Sequence, residues 1–148
     1  MKKILILFLV FGCIGAFAEQ KEFTPLTTYL QTEDPNDAFT WEFIAKRCSA
    51  IHLTLSARWW PEDSENKKVS ESDYRFYGNA AVNARLMKQP DADETKVIIA
   101  ITNDILTLVD PLDAVMKDNQ NKSGSIYIGS WIQDDMQICD SLLKTSND

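Results

Sequence analysis

Apolar residues recur at spacings of three and four along most of this chain of 148 residues. Such a repeat places side chains on one face of an α-helix, whereas a half-buried strand needs strict alternation. The most regular run is Ile98, Ile101, Ile105, Leu108 and Leu112. The best candidate for a strand, residues 125–128, is too short to compete with the helical pattern. The spacing therefore predicts an all-α fold.

The first predicted helix covers residues 37–60. Asp37 can accept a hydrogen bond from a backbone amide at the helix N-terminus, and Pro61 cannot continue the helix. Its apolar positions are expected to share one buried face: Trp41, Ile44, Cys48, Ile51, Leu55 and Trp59. The pattern is typical of a helix that buries a single stripe against its neighbours.

The second and fourth predicted helices are bounded by polar segments. The second begins at Ser70 or Ser72 and ends near Gln89, because a proline follows at the next position. The fourth covers residues 126–144 and follows a polar loop over residues 118–125. Both are long enough to form several helical turns.

The third predicted helix begins at a capping box formed by Asp91 and Glu94. Pro111 lies within its apolar repeat, and a proline inside a helix removes a backbone hydrogen bond. We therefore expect this helix to kink or break near Val109, with a further piece that runs through Met116.

The N-terminus has the pattern of a secretory signal peptide. Two lysines precede an apolar run over residues 4–17, which closes with the small-x-small sequence of residues 16–18. We expect residues 1–18 to be removed, as in a bacterial exported protein. The alternatives are cleavage with lipidation at Cys13, and retention of the apolar run as an anchor.

The segment that follows the leader lacks sustained periodicity. Residues 19–36 are acidic and rich in threonine, and they contain two prolines. They are predicted to form an extended lead-in with a short helical turn around residues 26–30. The helical domain then covers residues 37–148.

The charge of the chain excludes several classes of partner. The formal net charge is −7, from 15 basic and 22 acidic residues, and loss of the two leader lysines makes it −9. Nucleic acids and anionic membrane surfaces repel such a chain. The single histidine excludes a metal site that needs two or three histidines. We expect no metal, no cofactor and no membrane span in the mature chain.

Removal of the leader leaves Cys48 and Cys139 as the two cysteines of the mature chain. Two thiols in an oxidising compartment favour one disulfide. In a bundle with short connections the first and last of four helices are antiparallel neighbours, so the bridge would join them. The sequence thus predicts an antiparallel four-helix bundle-like domain with one disulfide.

The expected register of the first and last helices follows from counting helical turns away from this bridge. Each step adds about four residues on one helix and subtracts about four on the other. The first step places His52 level with Asp135, as a buried polar pair that could act as a pH-tuned contact or a general base. The alternative is that His52 lies at the margin of the helix contact and Asp135 points to water. Further steps pair apolar residues: Leu55 with Ile132, and Trp59 with Ile128.

Aromatic residues near the end of the first predicted helix form a candidate contact surface. Adjacent helical residues point about 100° apart, so we do not expect one core to bury both indoles of the Trp-Trp pair. Trp60 is expected either to cover the end of the bundle or to stand exposed. The expected surface consists of Trp59, Trp60, Tyr74 and Tyr77.

The sequence contains none of the motifs that identify covalent haem, di-iron, phosphate-loop or serine-hydrolase proteins. We therefore expect a non-enzymatic binding protein of the bacterial periplasm or exterior, whose partner is a protein or a small ligand. The alternatives are a small enzyme or accessory protein that uses His52 and Asp135, and an envelope protein anchored by a lipid on Cys13.

Overall fold

The computed structural model describes residues 24–34 and 37–145. Within these ranges the chain forms helices and no strand, which confirms the all-α prediction. The five helices are α1 Leu26–Tyr29, α2 Ala38–Thr54, α3 Glu65–Lys88, α4 Glu94–Ser123 and α5 Trp131–Thr145. The predicted signal peptide, with Cys13, lies outside the described residues.

The short helix α1 is packed against the rest of the molecule. Leu26 is completely buried, in an apolar cluster with Ile44 and Tyr77 and with the two cysteines, Cys48 and Cys139. Residues of the predicted lead-in therefore contribute to the folded core.

The helix α2 lies at the centre of the fold. Asp37 caps it as predicted, accepting a hydrogen bond from the Phe39 amide at 3.0 Å. Residues 47–52 are all buried, because neighbouring elements cover most sides of the helix. The prediction of a single buried face is therefore wrong for this helix, and Trp41, expected on that face, is 41% exposed. After α2, residues Leu55–Trp59 form one π-helical turn.

The helix α3 begins earlier than predicted. Its N-cap is Ser64, whose side chain accepts a hydrogen bond from the Lys67 amide at 3.2 Å. Ser70, the expected start, lies inside the helix and is buried. The polar residues after Ser64 predicted a loop, but they form the solvent-facing first turns of the helix.

The helix α4 runs through Pro111 without a break, contrary to prediction. The proline removes an amide that would bond the Thr107 carbonyl, and Thr107 is exposed on the surface. A buried row, which includes Leu108 and Leu112, keeps this stretch packed against the core. The N-cap is Asp93 rather than Asp91.

The connection from α4 to α5 is a compact turn over residues 124–130. Gly124 and Gly129 have φ angles of 77° and 79°, in the left-handed region that favours glycine. The Asn119 side chain donates hydrogen bonds to the backbone carbonyls of Ser125 and Ile128. As a result α4 extends beyond the predicted end near Met116, and α5 begins five residues later than predicted.

The main hydrophobic core lies between α2, α3, α4 and α5. Its buried members include Ile51 of α2, Leu55 of the π-helical turn, Ala81 of α3, Leu112 of α4 and Ile132 of α5. In the ranges that the structure describes, no helix has both the length and the apolar character needed to cross a membrane.

Candidate functional site

Cys48 of α2 and Cys139 of α5 lie at disulfide distance, as predicted, with their Cα atoms 5.8 Å apart. Both are completely buried. The two further pairs expected from the register share surroundings. Leu55 and Ile132 belong to one buried cluster, and Trp59 and Ile128 line one cleft.

The expected pair of His52 and Asp135 is not formed: among the described residues each has other partners. Asp135 is completely buried, and its Oδ1 accepts a hydrogen bond from the Leu26 amide at 2.6 Å. Its Oδ2 lies 3.9 Å from Nε of Arg47. Burial raises the pKa of Asp135 to about 6, although the Leu26 amide and the Arg47 guanidinium both oppose the rise. This carboxyl group connects the N-terminal segment to α5.

Arg47 is the buried cation of this cluster. Its guanidinium donates a hydrogen bond to the Thr24 carbonyl at 3.2 Å and lies 5.0 Å from the centre of the Trp131 ring. The expected register placed Asp135 beside His52, but its contact on α2 is Arg47. Asp135 faces the residue before Cys48, whereas His52 turns towards α3.

The acidic neighbours of His52 are on α3 and α5. Its Nδ1 lies 3.6 Å from Oδ2 of Asp73, and its ring stacks on Tyr77 with 5.7 Å between centres. Burial lowers the pKa of His52, and the charges of Asp73 and Asp140 oppose this effect. Burial also raises the pKa of Asp73, and the nearby imidazole of His52 opposes this rise.

No activated nucleophile accompanies His52 in the part of the chain that the structure describes. Ser49 donates its hydroxyl hydrogen to the Tyr74 carbonyl at 2.8 Å, and the Tyr77 hydroxyl donates to the Cys139 carbonyl. The two sulfur atoms nearby, of Cys48 and Cys139, are paired with each other. The two hydroxyl groups and the two cysteine sulfur atoms thus all have structural partners.

A second charged cluster, which the sequence analysis missed, connects α2, α3 and α4. Glu42 accepts hydrogen bonds from Arg85, with 2.6 Å to its Nε, and lies 3.1 Å from Nζ of Lys46. Lys46 also reaches Asp104 of α4 at 3.0 Å. Burial acts to raise the pKa of Glu42, but the hydrogen bonds from Arg85 and Lys46 outweigh it and lower the pKa. The Glu42–Lys46 spacing was the available sequence signal.

The structure does not bring the four aromatic residues of the expected contact surface together. Trp59 and Trp60 pack against the main core and line an open cleft, the tryptophan cleft, with residues 124–128. The Trp60 indole donates a hydrogen bond to the Ser70 hydroxyl at 3.0 Å. Tyr77 is only 2% exposed and cannot present a surface, because it packs under the disulfide.

Tyr74 lines a different cavity, an apolar groove between α3 and α4 that we call the α3–α4 groove. Its volume is about 390 Å³. Aliphatic side chains form most of its lining: Leu53, Val82, Ile98, Ile101, Ile105 and Leu106. Ile98 and Leu106 are 44% and 54% exposed, although the helical repeat predicted that Ile98 would be buried. Two large apolar side chains at the groove therefore remain accessible to solvent.

Gly78 helps to keep the α3–α4 groove open. It lies within α3 and lines the groove, and a Cβ atom built on it would meet Ser49 Oγ at 3.6 Å and Ile105 Cδ1 at 3.9 Å. Both are ordinary contact distances, so packing would permit an alanine here. A glycine within a helix, here Gly78, is the sequence signal for this cavity.

Polar groups line the same groove. They are the side chains of Ser49, Tyr74, Arg75, Asn79 and Thr102. A few polar groups on mostly aliphatic walls are typical of small-molecule sites, and the volume lies within their usual range.

Within residues 24–34 and 37–145, no group of three or more histidine, cysteine, aspartate or glutamate side chains is placed to hold a metal ion. Comparison with protein-family models, curated proteins and solved structures finds no match to this chain.

Proposed function

We propose that this protein is a small exported helical protein that binds an apolar ligand in the α3–α4 groove, without catalysing a reaction. The observation that carries the proposal is the groove itself, whose volume of about 390 Å³ suits a small ligand. Exposed Ile98 and Leu106 would lose contact with water when a ligand binds, which favours binding.

Export is supported by the signal-peptide pattern of residues 1–18 and by the cysteine pair, since disulfides persist in oxidising compartments. We infer an antiparallel, bundle-like arrangement of α2 to α5, because the connections between these helices are short. Mass spectrometry of the mature N-terminus distinguishes a soluble form that begins at Glu19 from a form that begins at a lipidated Cys13.

A binding role is favoured over an enzyme that uses His52 and Asp135 because these residues have separate partners. The tryptophan cleft is the weaker candidate for the binding site. Its two indoles pack against the core, and the Trp60 N–H group already bonds Ser70. These contacts suit a role in closing one end of the core.

The proposal can be tested with 1-aminoanthracene, a neutral apolar fluorescent probe. We expect saturable binding at one probe per chain. Gly78→Leu places a side chain in the groove and should abolish binding, whereas Asn83→Leu adds the same side chain at an exposed position of α3 outside the groove. Circular dichroism of both variants checks that they remain folded.

A second pair of variants covers the case in which Gly78→Leu does not fold. Ile98→Lys and Leu106→Lys change exposed residues of the groove, so the fold should tolerate them while probe affinity falls. Probe binding that is absent from the wild type, or equal in all folded variants, contradicts the proposed site.

A further inference from the structure

We infer that the ligand of the α3–α4 groove is an amphiphile, with an alkyl chain in the groove and a carboxylate bound by Arg75. The inference rests on the proposed function, because it names the ligand class of the same site. It depends on the charge environment of Arg75 and on its position relative to the apolar residues of the groove.

Arg75 differs from the other three arginines in its partners. Arg47 lies 3.9 Å from Asp135, Arg58 lies 3.1 Å from Asp110, and Arg85 pairs with Glu42. In the described part of the chain, no acidic side chain lies within 4.0 Å of the Arg75 guanidinium, which instead lies 5.5 Å from the centre of the Tyr74 ring.

This lack of an acidic partner is notable in so acidic a protein. The chain has 22 acidic and 15 basic residues, and Glu71 lies one turn before Arg75 on α3. The structure nevertheless directs Arg75 to the groove without an ion pair. A guanidinium binds a carboxylate through two parallel hydrogen bonds, so an anionic headgroup is the complementary ligand.

Other polar groups surround the same position. Asn79 lies one helical turn after Arg75 and therefore on the same face of α3. Asn79 and Tyr74 both line the groove and carry an amide and a hydroxyl group. They can donate hydrogen bonds to a carboxylate that is held by Arg75.

Val82 and Ile98 lie away from this polar end. Val82 lies seven residues after Arg75 on α3, which corresponds to about 10 Å along the helix axis. The connection from α3 to α4 is short, so the two helices run in opposite directions and Val82 lies towards Ile98. The groove thus has a cationic end and an aliphatic end, which matches the polarity of an alkyl carboxylate.

The test compares three ligands with the same alkyl chain: dodecanoate, dodecanol and dodecyltrimethylammonium. Each ligand displaces 1-aminoanthracene at pH 8, at ligand concentrations below the onset of micelles or phase separation. An exposed ion pair contributes up to about 1 kcal/mol. Dodecanoate should therefore bind up to about fivefold more tightly than dodecanol. The ammonium ligand should bind most weakly.

Variants of Arg75 identify the source of the preference. Arg75→Gln should make dodecanoate and dodecanol equal, and Arg75→Glu should favour the ammonium ligand. Arg58→Gln is the matched control, because it removes the same charge from an exposed arginine outside the groove and should keep the preference for dodecanoate.

The possible failures are distinguishable. Equal binding of dodecanoate and dodecanol by the wild type overturns the inference but leaves the apolar binding site intact. A preference for dodecanoate that survives Arg75→Gln also overturns it. If neither the probe nor any of the three ligands binds, the proposed function itself fails.

Discussion

At the scale of single residues, two buried ionisable groups, His52 and Asp135, have separate partners. His52 faces Asp73 and Asp140, whereas Asp135 faces Leu26 and Arg47. The chain has one histidine, so its titration can be followed without ambiguity.

Asp73→Asn should lower the pKa of His52, because it removes a negative charge 3.6 Å from the imidazole. Asp135→Asn should leave that pKa unchanged. NMR titration of the single imidazole in both variants provides the measurement. If Asp135→Asn shifted the pKa of His52 more than Asp73→Asn does, the pairing of His52 with Asp135 that the sequence predicted would be correct.

Asp135 should make stability depend on pH. Its pKa is about 6 in the folded protein, against an ordinary value of 3.8, so the folded state holds a proton that the unfolded state releases between these values. Stability therefore falls as pH rises from 4 to 6 and then levels off.

Asp135→Asn should remove this decline. A shift of about two pKa units corresponds to about 3 kcal/mol, so the free energy of unfolding of the variant relative to wild type should rise by that order between pH 4 and pH 7. Urea unfolding at both pH values measures the difference, and Asp91→Asn, at an exposed position outside this cluster, is the control. If the stability of the variant relative to wild type did not depend on pH, burial would not raise the pKa of Asp135.

At the scale of helices, the sequence predicted which segments are helical better than where they begin and end. The prolines at positions 61 and 90 correctly marked the ends of helical segments, and Asp37 correctly marked the start of α2. Pro111 was misleading, because the burial of the apolar row of α4 outweighs the loss of one hydrogen bond at the surface. The start of α5 depends on the conformation of Gly129, which apolar periodicity does not detect.

Gly78→Ala should stabilise the protein. The added Cβ makes only ordinary contacts, and a glycine within a helix costs about 1 kcal/mol relative to alanine. We expect urea unfolding to show a gain of about 0.5–1 kcal/mol. Gly124→Ala and Gly129→Ala are the contrasting variants, and both should destabilise because their φ angles are positive. A loss of stability in Gly78→Ala would mean that the groove is more tightly packed than described.

At the scale of the whole molecule, the cysteine pair and the all-α class followed from composition and spacing. The α3–α4 groove did not, because it depends on which face of each helix is left uncovered. The repeat that includes Ile98 indicates an apolar face and does not say whether a neighbouring helix covers it. The packing of the lead-in was also unpredictable, since it depends on one buried leucine and one buried carboxylate, Leu26 and Asp135.

The disulfide should contribute substantially to stability. Its cysteines are 91 positions apart, and closure of a loop of that length corresponds to about 4–5 kcal/mol in the chain-entropy description. The double variant Cys48→Ser, Cys139→Ser should therefore unfold at markedly lower urea concentration than the oxidised protein. Alkylation and intact-mass analysis count free thiols in the wild type, where none is expected after export. A difference below about 1 kcal/mol in the free energy of unfolding between the oxidised protein and the double variant would contradict this contribution.

An NMR titration of the ¹⁵N-labelled protein with dodecanoate shows whether the α3–α4 groove is the binding site. We expect saturable shifts in the backbone amides of groove residues such as Gly78, Asn79 and Thr102, complete at about one ligand per chain. Shifts concentrated at the tryptophan cleft around Trp60, or no saturable shifts at all, would contradict it.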